Sequence, residues 1–305
     1  MAEREASTSK AIERVVALAN GKGGVGKTTT VANVGGYAAL AGAKVLLVDL
    51  DPQGDLARDL GYEPQTGQEL FNALITGTAP RVLTEVRENL DVIPGGQALE
   101  DIQGLMVSRA GRNDAGDFGD LLYAVLAPIA EAYDLILLDT PPGERTLVEG
   151  AFAVSTAVVI PTRSDDASLD GVERVARRFM AVRERNPALQ LAGVVLFGVG
   201  PRSLRLERSV RHSLQEMLSD VAPVFNTRIR NLESASADAR KKGLLFYELE
   251  GAATDAQKQR LKALRAGEKP AEEFFARSAG DLAEEYEQLT GEILRRLNQI
   301  ESENL

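Results

Sequence analysis

Val15-Val16-Ala17-Leu18-Ala19-Asn20-Gly21-Lys22-Gly23-Gly24-Val25-Gly26-Lys27-Thr28-Thr29 is the stretch that decides the fold. Five apolar residues run into a glycine-rich loop, and a small-residue helical pattern follows over 27–40. Strand, loop, helix is the setting in which G-x-x-x-x-G-K-[ST] holds phosphate, and Gly21, Gly26, Lys27 and Thr28 fill its fixed positions. Glycines let backbone N–H groups converge on phosphate oxygens, and the helix N-terminus adds partial positive charge. In such a loop Lys27 reaches the β- and γ-phosphates and the Thr28 hydroxyl ligates Mg²⁺.

Further apolar runs lie at 44–49, 90–94, 135–139, 157–161 and 192–197. Apart from Lys44, Asp91 and the terminal Asp49 and Asp139 they are apolar, without the alternation of a half-exposed strand, as strands covered on both faces are. Helical patterns separate them, notably over 117–131 and 168–185. Alternating β and α predicts a doubly wound, mostly parallel α/β sheet with helices on both faces, and right-handed crossovers put the strands' C-terminal loops on one rim. Residues 111–119 read as a polar, glycine-rich loop. Beyond 251 charged helix formers dominate, and two helices over 254–266 and 271–300 are expected, split by Gly267 and Pro270. The expected organisation is a tail over 1–14, a P-loop domain over 15–250, and a C-terminal helical extension over 251–305 packed on the same domain.

Composition removes several function classes. With no cysteine, disulfides, thiolate zinc sites and iron–sulfur clusters are excluded. The single histidine, His212, leaves no histidine-rich metal site and no Ser-His-Asp triad. A net charge of −10 means that any nucleic-acid or anionic-lipid binding needs a local basic patch. Residues 1–14 are polar rather than signal-like, and no run approaches the ~18 apolar residues of a membrane span, so cytoplasmic residence is expected.

Two strand ends add carboxylates. Asp49-Leu50-Asp51-Pro52-Gln53-Gly54 closes the second strand, where a turn with helix-capping aspartates is the competing reading. Asp139 ends the fourth strand after four apolar residues and is followed by Thr140-Pro141-Pro142-Gly143. An aspartate so placed holds Mg²⁺, directly or through water.

Together with Lys22 after the first loop glycine, these elements resemble the ParA/MinD family of deviant Walker A (SIMIBI-class) P-loop ATPases. The resemblance runs from Val15 to about Leu249. It is closest to the short ParA/Soj-type partition proteins, since no helix-turn-helix segment precedes the first strand. It implies ATP hydrolysis with ATP/ADP and Mg²⁺ as cofactors. It also implies a homodimer closed by ATP, in which Lys22 crosses the interface to the partner's nucleotide. Lys22, Lys27 and Asp51 become the catalytic residues, Asp51 orienting the attacking water with Asp49 in support. Gly21, Lys22, Gly23, Gly24, Val25, Gly26, Lys27, Thr28 and Thr29 bind the nucleotide, and Thr28, Asp51 and Asp139 the metal. The segment after Asp139 resembles the family's switch. Thr227-Arg228-Ile229-Arg230-Asn231 resembles its late arginine-asparagine element, which places Asn231 near the adenine.

Short ParA proteins bind DNA non-specifically as ATP dimers and work with a ParB-like partner that stimulates hydrolysis and release. Residues 202–242 hold nine Lys/Arg against five Asp/Glu, a local excess of four positive charges in an acidic chain. Arg202, Arg205, Arg208 and Arg211 recur at three-residue steps beside an apolar stripe, and Arg228, Arg230, Lys241 and Lys242 extend the patch. A solvated helix face balanced by acids such as Glu207 is the competing reading. The alternative function is a MinD-like or cargo-positioning ATPase acting on membrane or protein. Its membrane form would use the stripe Ile293, Leu294, Leu297 and Ile300, but Glu301 and Glu303 follow and bulky aromatic anchors are missing, so a helix packed on the domain is favoured.

Overall fold

The computed structural model describes residues 11–111, 116–163, 166–200, 204–218, 221–266 and 279–304. Eight strands form one sheet in the order β3-β4-β2-β5-β1-β6-β7-β8. They are β1 (Val15–Leu18), β2 (Val45–Asp49), β3 (Leu83–Arg87), β4 (Leu90–Ile93), β5 (Leu135–Asp139), β6 (Ala157–Arg163), β7 (Gln190–Val199) and β8 (Val224–Arg230). All pairings are parallel except β3 with β4.

The apolar runs form central strands because each strand serves two cores. Val15 and Ala17 of β1 join one buried cluster, Val16 and Leu18 the other. Successive side chains point to opposite faces, so a strand covered on both sides must be apolar at every position. One face is covered by α3 (Gln68–Thr76), α5 (Phe118–Ala130), α6 (Arg145–Val154), α7 (Asp166–Arg183) and α8 (Leu204–Leu218). The other carries α1 (Lys27–Leu40), α2 (Leu56–Leu60), α9 (Glu233–Lys242), α10 (Phe246–Arg265) and α11 (Ala279–Asn304). A further helix, α4 (Ile102–Gly111), precedes α5, which Asp117 starts with a capping box closed by Asp120.

Two strands were not expected from the sequence. β3 is a polar edge strand, and β8 carries Asn226, Arg228 and Arg230, so neither shows a continuous apolar run. Part of the expected 1–14 tail packs on the domain, and residues 1–10 lie outside the described residues. Ile12 is buried and its N–H donates to Val154 O (2.8 Å), and Arg14 pairs with Glu301 (2.8 Å).

The first C-terminal helix differs from the expected 254–266: α10 starts eight residues earlier because Phe246 and Leu249 are buried. Of the second, expected over 271–300, α11 is described over Ala279–Asn304, and 271–278 lie outside the described residues. Leu282, Tyr286, Leu289, Ile293, Leu297 and Ile300 of α11 are buried on the domain. Its carboxylates close the free edge of β8: Glu292 accepts from Asn226 N–H (2.8 Å), Thr227 N–H (2.8 Å) and Thr227 Oγ1 (2.5 Å), and Glu285 from Arg230 N–H (2.9 Å). An edge whose donors are taken no longer templates further pairing. Among the described residues no helix is long and apolar enough to cross a membrane.

Candidate functional site

The glycine-rich loop joins the central strand β1 to α1, where the strand order turns back on itself. Loops at such a point surround a crevice beyond the strands' C-terminal ends. Asn20 fixes the loop's start: its Nδ2 donates to Pro161 O (2.7 Å) and its Oδ1 accepts from Lys22 N–H (2.9 Å). Gly24 and Gly26 have φ of +71° and +82°, values open to glycine and strained for other residues. A Cβ on Gly26 would also lie 2.2 Å from the Phe197 ring. Gly26 caps α1 with no side chain of its own, so the first-turn N–H groups have no side-chain cap, and such free donors at a helix N-terminus suit an anion.

Lys27 is buried at the head of α1. Burial pulls its ammonium below the ordinary lysine value, while Asp139 and Asp51 oppose that shift. Asp49 and Asp139 pair in register across β2 and β5. Asp49 is tied down: Oδ1 accepts from Asp51 N–H (2.9 Å) and Oδ2 from Leu56 N–H (3.4 Å). Burial, reinforced by Asp139, still pushes its carboxyl well above the usual carboxylate range. Asp51 is buried and accepts from Gln53 N–H (3.0 Å), and burial raises it too, with Lys27 opposing.

Asp139 is 1% exposed, and neither of its carboxylate oxygens has a hydrogen-bond partner. Burial pushes it up to about 7, against the opposing pull of Thr28 and Lys27. A buried carboxylate with two idle oxygens implies a partner that the chain does not supply. Mg²⁺ fits this donor set. Among the described residues no three His, Cys, Asp or Glu side chains form a metal cage, and Mg²⁺ is commonly held by one or two carboxylates together with substrate phosphates.

The segment after β5 is anchored at both ends. Thr140 Oγ1 donates to Leu18 O (2.7 Å), and Arg178 of α7 donates to Gly143 O (2.8 Å). Arg174, one turn earlier, lies over Gly21, where a Cβ would sit 3.1 Å from its Nε. A cavity of about 670 Å³ runs from Gly24 and Gly26 along α1, lined by Phe197, Ile229, Asn231 and Phe246 among others. That volume suits a small-molecule ligand. Asn231 lines the same cavity as Gly24 and Gly26. Phe197, Arg174 and Arg178 were not singled out from the sequence. Phe197 reads as one more apolar strand residue, and the two arginines as ordinary helix charges.

The basic patch is narrower than its sequence. Arg205 and Arg208 on α8 are exposed. Arg211 instead donates to Phe225 O (2.7 Å), Arg228 pairs with Glu207, and Arg230 with Glu285 and Asp281. β8 lies between α8 and α11, and acids on these two helices pair with its two arginines, so neither adds a free charge to the patch. Arg202 lies outside the described residues.

An AAA domain family model matches residues 13–191. The chain is 33% identical to the chromosome partitioning protein ParA of Caulobacter vibrioides over 254 residues, covering 80% of this chain and 90% of the relative. It is 36% identical to the chromosome-partitioning ATPase Soj of Thermus thermophilus over 226 residues, covering 73% and 84%. The ATP complex of Cyanothece McdA(D38A) superposes with a TM-score of 0.71 at 21% identity, covering 93% of this chain and 97% of that one. At that identity the likeness speaks for the fold.

Proposed function

The chain belongs to the ParA/Soj family of P-loop partition ATPases, and from that premise we propose that it is an Mg²⁺-dependent ATP switch whose ATP-bound homodimer binds DNA non-specifically and is reset by a ParB-like partner. The observation that carries the ATPase reading is the meeting of the Gly21–Thr29 loop with two buried aspartates, Asp51 and Asp139, beside Lys27.

In this reading Gly23 to Thr29 offer backbone N–H groups to the phosphates, and Lys27 neutralises charge between them. Thr28 and Asp139 would hold the metal, with Asp51 close by. Bound Mg²⁺ supplies charge neutralisation at the transferring phosphoryl group. Asp51 orients the attacking water, and Asp49, fixed by two backbone donors, sets the direction of the Asp51 backbone. Phosphoryl transfer needs this positioning more than covalent help. Burial of the cluster strengthens each electrostatic contact.

Lys22 is assigned to the partner's nucleotide. The test is light scattering of Lys22→Ala with ATP and Mg²⁺. This variant should bind nucleotide and stay monomeric while the unaltered protein dimerises; a variant that dimerises normally removes Lys22 from the interface. The membrane form of the alternative is disfavoured, because Ile293, Leu297 and Ile300, which it needs exposed, are buried on the domain.

A further inference from the structure

One face of α7 runs along the phosphate site. Gly171, Arg174 and Arg178 stand at i, i+3 and i+7, the spacing of a single helix face. Each meets a different part of the site. A Cβ on Gly171 would lie 2.5 Å from Asn20 Oδ1, the atom that accepts from Lys22 N–H. Arg174 covers Gly21, the first loop glycine. Arg178 Nη2 donates to Gly143 O (2.8 Å), in the segment that follows Asp139.

That segment has few supports of its own. Thr140 holds its start through Leu18 O, and Val148 N–H donates to Glu144 O as α6 begins. Between them Pro142 and Gly143 are exposed. Gly143 has φ of +86°, and nothing packs where its Cβ would be. A glycine so placed has wide conformational freedom, so its carbonyl needs fixing from outside. Arg178 supplies that fixing. A carboxylate is the stronger partner for a guanidinium, but Glu149, an acid near Arg178, pairs with Arg145 instead (2.8 Å). Pro142, next to the held glycine, borders the phosphate loop: a Cβ on Gly23 would sit 3.9 Å from its Cγ.

We infer that Arg178 is a positioning residue for phosphoryl transfer, which holds the 141–144 segment against the phosphate loop through the Gly143 carbonyl. This deepens the ATPase reading above and rests on it. Arg178 acts on rate rather than on binding, because the Gly23 to Thr29 backbone and Lys27 hold the phosphates without it. Small displacements near reacting groups lower rate steeply.

The test is steady-state ATP turnover with Mg²⁺, beside calorimetric titration with ADP. Arg178→Met keeps the aliphatic stem and removes the donor. It should lower kcat about tenfold or more, with KM and ADP affinity unchanged. Arg178→Lys, which still donates, should recover part of kcat. Arg177→Ala, at an exposed neighbour paired with Glu173, should turn over normally. A merely structural Arg178 would lower kcat and affinity together and gain nothing from lysine, which overturns the proposal. So does an equal loss in Arg177→Ala, an unchanged kcat in Arg178→Met, or a raised one, the mark of a latch. Should Arg178→Met fail to fold, Arg178→Lys decides: a lowered kcat at unaltered KM supports the assignment, and an unaltered kcat overturns it. If the unaltered protein neither binds ADP nor hydrolyses ATP, the phosphate-loop reading itself falls.

Discussion

Asp49 and Asp139 face each other as register partners at the C-terminal ends of adjacent strands, and only Asp49 is hydrogen-bonded by the chain. Two buried like charges side by side are held at a cost, and the cost falls on the nucleotide-free protein. Sites of this kind trade stability for function.

Asp139→Asn removes one of those charges without changing shape. At pH 8 the nucleotide-free variant should melt a few degrees higher, at about 2 °C per kcal/mol for a chain of this size. Its ATP turnover should fall by about 100-fold or more. Thermal melts beside a phosphate-release assay check both; a variant that melts lower and still turns over would remove Asp139 from the site.

Asp91 gives a pH-dependent test far from the nucleotide. Burial pushes its carboxyl up, but hydrogen bonds from Glu85 N–H, Lys44 and Tyr133 outweigh burial and hold it below the ordinary range. A lowered carboxylate contributes stability above its unfolded value and loses it as pH falls through the folded one. Asp91→Asn should therefore cost about 1–3 kcal/mol at pH 7, and the gap should close below about pH 4. Urea titrations at pH 7 and pH 3 measure it, and a gap that widens in acid contradicts the assignment.

Glu292 takes three donors from the β8 edge. Glu292→Ala should cost about 2 kcal/mol and speed amide hydrogen exchange at Asn226 and Thr227, while Glu292→Gln recovers part of the loss. Unchanged exchange at those amides would show that α11 does not close the edge.

The exposed and paired arginines should separate in DNA binding. Arg205→Glu with Arg208→Glu should abolish ATP-dependent DNA retention. Single Arg→Ala changes at either position should lower the salt slope by about 0.9 per lost phosphate contact. Arg228→Ala should change it little, because Glu207 already takes that charge. Equal effects at Arg205 and Arg228 would argue against α8 as the DNA face.

How much was legible follows from where the signal lies. The phosphate loop, Asp49, Asp51 and Asp139 stand at the ends of uniformly apolar strands, so local sequence locates them. β3 and β8 escaped because edge strands mix Glu85, Arg228 and Arg230 with apolar residues. The basic patch was overcounted because Glu285 and Asp281 come from α11, some 50 residues away along the chain from Arg230. Gly143 and Arg178 are 35 residues apart, and only the fold makes them one feature.

The most direct measurement of the central claim is steady-state ATP turnover by the unaltered protein and Lys27→Ala, each with Mg²⁺ and with EDTA. The account predicts slow, Mg²⁺-dependent hydrolysis by the unaltered protein and a loss of about 100-fold or more in Lys27→Ala. Turnover that survives either EDTA or the loss of Lys27 would contradict it.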